Sequence, residues 1–159
     1  MTLIHFVKWL HIIGAAVLLG TGAGIAFFML IAHRSRDPHA IAHVARTVVI
    51  ADTLFTATAV VAQPITGVLL AWLVGWPLTD GWILLSIFLF IFIGAFWLPV
   101  VWIQIRLRDL AAAAAKQNTS LPAEYDRLFR IWFIFGFPAF AAILAIFWLM
   151  LARPQITLF

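Results

Sequence analysis

There is no cysteine in the 159 residues. Disulfide frameworks, thiolate metal ligands and cysteine nucleophiles are excluded at once. Charge is almost as scarce. Asp, Glu, Lys and Arg make up 10% of the chain, against roughly 25% in an ordinary soluble domain. No stretch is polar enough, or long enough, to form a separate soluble domain. What fills the chain instead is apolar: 65% of residues are hydrophobic and the mean hydropathy is +1.11. From Ile12 to Ala32 there is no charge for 21 residues, and a helix needs about 20 apolar residues to cross the hydrocarbon core. That run is too long for a secretory signal, and no small-residue cleavage site leads from it into a soluble sequence.

Four such runs follow one another, at about 3–32, 40–74, 82–105 and 128–152. They predict a single all-α membrane domain over residues 1–159, a four-transmembrane-helix bundle with short loops and the lipid bilayer as its surroundings. The ten Lys and Arg outnumber the six Asp and Glu, for an isoelectric point near 10.8. In a soluble protein this would suggest nucleic acid. In a membrane chain it reads as orientation, because cytoplasmic loops collect Lys and Arg. Arg34, Arg36 and Arg46 flank the first loop, and Arg106, Arg108, Lys116, Arg127 and Arg130 flank the third. The other side has Lys8 and Arg153. This bias predicts both termini in the periplasm and a place in a bacterial inner membrane.

Polar residues inside the spans are few and each needs a reason. Asp52 is the one acid within a span, and Arg106 on the third span is the expected partner. Gln63, Thr66 and Gln104 extend a polar interior. Pro64 is expected to kink the second span, and Gly136-Phe137-Pro138 to interrupt the fourth. Gly20 and Gly24, four residues apart, form a small-residue face for close helix packing. His11 is the only histidine well inside lipid. Lys8 and Arg153 mark the same interface, so His11 and Met150 lie at similar depth on different helices. That leaves two readings of His11, an interhelical hydrogen bond toward Gln63–Thr66 or Met150, or a functional role as a proton relay or as a haem ligand with Met150 opposite. His33, His39 and His43 gather at the basic end. Without a matched carboxylate they read as loop histidines rather than a metal site.

The eight tryptophans and fifteen phenylalanines are numerous enough to line a flat pocket for a quinone or porphyrin. The segments Lys8-Trp9-Leu10-His11-Ile12-Ile13, Ala32-His33-Arg34, Gln63-Pro64-Ile65-Thr66-Gly67, Trp97-Leu98-Pro99 and Phe147-Trp148-Leu149-Met150 together resemble a bacterial family of predicted integral membrane proteins of unknown function. The first helix alone is similar to the J-type protoporphyrinogen oxidases and copper-resistance protein D membrane domains. That likeness implies b haem, with His11 the haem-related residue. Two functions stand open at this point. One is a haem- or redox-associated membrane protein centred on His11. The other is a non-enzymatic accessory subunit or small transporter, working as a homo-oligomer or in a larger membrane complex.

Overall fold

The computed structural model describes residues 2–156. All regular structure among them is helical. Helix α1 spans Leu3–Ser35, α2 Pro38–Ala51, α3 Ala57–Val74, α4 Gly81–Gln117 and α5 Ala123–Ala152. One turn of π-helix, Asp52–Thr56, joins α2 to α3, so the second span runs unbroken from Pro38 to Val74. Four helices are therefore long and apolar enough to cross a membrane. Only 11–17% of their apolar windows is buried within the chain. The rest of that surface faces outward, which is stable in lipid and not in water.

Local sequence explains where the helices stop. Asp37 caps α2 by accepting the His39 amide at 2.9 Å, and Pro38 takes the first turn, where no amide donor is needed. Gly75 ends α3 in the left-handed conformation, φ +84°, which costs a glycine little. α4 continues past its apolar span through Arg106 and the alanine run to Gln117, as expected of alanine, the best helix former. α3 runs through Pro64 as helix. α5 runs through Gly136-Phe137-Pro138 without leaving helical geometry, so the expected interruption of the fourth span is absent. The second span carries a backbone irregularity at Asp52–Thr56. A proline removes one amide donor, and inside a membrane bundle neighbouring groups accommodate the loss. A π turn inserts an extra residue and re-aims the side chains after it.

The helices are not equally close. α4 and α5 pack along each other as one antiparallel pair, α1 and α3 as a second, and α2 joins the pairs by packing on both α1 and α4. α3 makes no comparable contact with α4 or α5. The main core, with Met29, Ile41, Leu107 and Tyr125 at its centre, lies at the end of the two basic loops. A smaller cluster of Ala71, Trp82, Ile83 and Leu149 closes the opposite tip. There the chain after α5 folds back, with the Arg153 guanidinium 4.3 Å from the centre of the Trp76 ring and Ile156 against Gly81. Between these two clusters the helix pairs part.

Candidate functional site

The parting leaves a cavity of about 780 Å³. Its α1 wall runs from His11 and Ile12 down to Leu30, about 27 Å at 1.5 Å per residue. The opposite walls come from α4 and α5, through Phe96, Trp97, Phe133 and Phe140. Several lining side chains are also exposed on the outer surface, among them Phe27, Val68 and Phe137. The cavity therefore opens on the flank that the helices present to lipid. Its lining is almost wholly hydrocarbon, and its few polar groups fall at two levels.

The upper level is the contact of α1 with α3. His11 Nδ1 lies 2.9 Å from Thr66 Oγ1. The Thr66 hydroxyl also lies 2.8 Å from Ala62 O; when it gives its proton there, it accepts from the Nδ1–H tautomer of the imidazole. His11 Nε2 has no hydrogen bond among the described residues. Gln63 Nε2 donates to the His11 carbonyl at 2.9 Å. Two glycines make these approaches possible. A Cβ at Gly14 would collide with the Gln63 amide, and a Cβ at Gly67 would sit 3.2 Å from His11 Cε1. Each long side chain thus lies in a notch on the facing helix. The expected packing face differs: Gly20 and Gly24 have open space where a Cβ would be. Close approach is set by where the helix axes cross, and α1 and α3 cross around Gly14 and Gly67. The position of Gly14, three residues after His11 and so on its face, was the sequence signal for this. Met150 lines the same cavity from α5.

The lower level surrounds the π turn. Asp52, 5% exposed, accepts a long hydrogen bond from Trp97 Nε1 at 3.4 Å. The expected pairing with Arg106 is not found. Arg106 turns to the surface and pairs with Glu124 at 3.0 Å, since a guanidinium beyond the span keeps more of its hydration there than beside a carboxylate in the interior. Gln104 and Trp132, 4% and 5% exposed, also face this level. The Gln104 Oε1 and Trp132 Nε1 atoms are buried with no hydrogen-bond partner among the described residues. Trp97 and Trp132 could not be picked out as polar partners from the sequence, where an indole in a span reads simply as apolar bulk.

The histidines at the basic end are placed differently from one another. His39 and His43 lie on the first turns of α2. His33, just beyond the first span, stacks on Phe129 with ring centres 3.7 Å apart and planes 5° from parallel. Among the described residues no three His, Asp or Glu side chains gather as a metal site. Beside His33, Arg36 makes a two-pronged ion pair with Asp126 at 2.6 and 3.0 Å. Both partners are well exposed, so the pair contributes at most about 1 kcal/mol. Burial, with Arg36 adding to it and Asp126 opposing, holds the His33 imidazole below its usual range. The folded state then favours neutral His33, and its contribution is complete above about pH 6.5, the unfolded value. We expect thermal stability in detergent to fall as pH drops below that point. The Arg36 hydrogen bond holds Asp126 below the carboxylate range, which adds a second loss in stronger acid. Melting curves from pH 8 to pH 5 check this. His33→Phe should flatten the first decline, and an unchanged slope would refute the assignment.

No curated protein and no solved structure is significantly similar to the chain. A family model described as a predicted integral membrane protein matches residues 5–154. This covers every helix almost end to end, including the His11–Thr66 contact and the whole cavity, and the chain belongs to that family of integral membrane proteins, DUF2269.

Proposed function

We propose that this protein takes an amphiphilic, bilayer-dissolved molecule into the cavity between its two helix pairs. One observation carries the reading: an apolar cavity of about 780 Å³ opens toward lipid and has buried polar groups within it. Ligand sites are concave, mostly apolar, and hold a few placed polar groups that fix orientation. Carrier and accessory-subunit roles both use such a site.

A second reading is favoured by the His11 geometry. When Nδ1–H is bonded to Thr66, the imidazole has its ring fixed and Nε2 free, the arrangement in which a histidine binds a metal. His11 and Met150, both on the cavity wall, would hold haem b, which would supply one-electron chemistry. One preparation tests both readings. Protein extracted in mild detergent should retain a non-protein adduct in native mass spectrometry. Bare chain mass after lipid extract has been supplied would refute the first reading. A Soret band that His11→Ala abolishes, with the helix content unchanged, supports haem. Colourless protein from haem-replete cells rejects it.

The site is assigned to a bacterial inner membrane with both termini periplasmic, on the strength of the eight-to-two basic bias. A reporter fused within the Gly75–Gly81 loop should then read periplasmic. A cytoplasmic signal would reverse the orientation.

A further inference from the structure

The polar atoms of the lower level also bear on what the ligand is. Gln104 and Trp132 leave hydrogen-bonding atoms buried and unpaired in a lipid-immersed bundle. Each such atom costs about 1–3 kcal/mol unless something meets it. The two residues lie on adjacent antiparallel helices whose register is set by the Phe96–Phe135 contact, ring centres 5.3 Å apart. Counting from that contact at 1.5 Å per residue, Trp132 and Gln104 differ in depth by about 7–8 Å. Side chains lean toward the N-terminus of their helix. Gln104 on α4 therefore leans up and Trp132 on α5 leans down, so the two converge on one space.

The chemistry of that space is selective. It offers an indole N–H as donor and a carboxamide that accepts as well as donates. The Asp52 carboxylate lies nearby, and Arg106, the nearest candidate counter-ion on α4, is committed to Glu124 at the surface. A phosphate or carboxylate head would thus enter a site with an acid and no cation. The walls at this depth are rings: Phe96, Trp97 and Phe133. Above them the cavity continues, apolar and elongated, to the level of His11.

The geometry points to a neutral, ring-headed lipid of the quinone–quinol class as the ligand, its oxygens meeting Trp132 Nε1 and the Gln104 carboxamide and its tail lying along the cavity toward His11. This rests on the proposed uptake of an amphiphile, and it adds the identity of the head.

The test uses full-length protein in nanodiscs, titrated calorimetrically with empty nanodiscs subtracted. The probes are decylubiquinol, decylubiquinone, decanoic acid and decylbenzene. Both quinone probes should bind, and decanoic acid should not. Gln104→Leu and Trp132→Phe should each weaken quinone or quinol binding about five- to tenfold, the effect of one neutral hydrogen bond. In the absence of ligand Gln104→Leu should leave the melting temperature unchanged or raise it, since it removes an unpaired buried group. A purely structural role would instead lower it. If decylbenzene or decanoic acid binds as well as the quinones, or if neither substitution changes affinity, the quinone assignment is wrong while uptake of amphiphiles stands. If no probe binds at all, both are wrong.

Discussion

Gly94→Trp is expected to abolish ligand uptake while leaving the bundle folded. Gly94 lies on the α4 wall of the cavity, and a Cβ added there meets nothing within 4 Å. Gly136 stands on the α5 wall with equally open space. The Phe96–Phe135 contact puts these two glycines at nearly the same depth. A side chain built from either Cβ enters the space that a ligand needs. Glycine is also a poor helix former, so replacing it does not weaken the helix. We expect binding to fall at least about a hundredfold, the equivalent of about 2.7 kcal/mol, with the melting temperature retained or raised. The adduct in native mass spectrometry should disappear with it. Gly136→Trp provides the independent check, because an indole at one site can turn outward to lipid. If the double variant still carries the adduct at wild-type occupancy, the cavity is not the binding site.

Gly14→Ala should cost stability through a single methyl group. The new Cβ would collide with the Gln63 side-chain amide, and that amide would have to leave the His11 carbonyl it now bonds. Gln63 is 8% exposed, so the displaced amide has little water to turn to. A buried amide left without its partner costs about 1–3 kcal/mol, and forcing extra volume into a packed contact adds a cost of similar size. A loss of about 2–4 kcal/mol follows, read as a lower midpoint in denaturant. Gly67→Ala should be milder, since its Cβ would lie 3.2 Å from His11 Cε1 and the ring can shift by a few tenths of an ångström. The pair Gly14→Ala with Gln63→Ala separates clash from propensity. Removing the amide should abolish most of the penalty, so the double variant should be about as stable as Gln63→Ala alone. Additive losses would mean that the notch is not what holds α1 to α3.

The wider architecture was legible because it follows from solvent, not from partners. A run such as Ile12–Ala32 has nowhere stable to be except in lipid, and in lipid its backbone must be helical. The expected interruption at Gly136–Pro138 failed because the consequence of a lost backbone hydrogen bond depends on neighbours that sequence does not name.

The site was legible only in part. Gln63, Thr66 and His11 were expected at one level, on the argument that an imidazole in lipid needs a partner, and they lie together there. Asp52 was expected to need a partner as well, yet charge complementarity suggested Arg106 where the structure supplies the Trp97 indole. The competing influence was hydration. A long basic side chain near a helix end reaches water, and Arg106 does so beside Glu124. Gly20 and Gly24 show the same limit from another side. The small-residue pattern marks a face that can be approached closely, and within this chain nothing approaches it.

The sequence by itself determined that this protein belongs in a membrane and that four of its segments are long and apolar enough to cross one. Those properties belong to single segments, each long and apolar enough to settle its own free energy in the bilayer. Only the tertiary structure decided that the helices pair two by two and part between the pairs. Only it decided that Gly14 and Gly67 are the notches, and that Gln104 and Trp132 face a common cavity with their polar atoms unpaired. These depend on crossing points, on register between antiparallel helices, and on the residue inserted at the π turn. A change of one residue in any of them would turn the same side chains toward lipid.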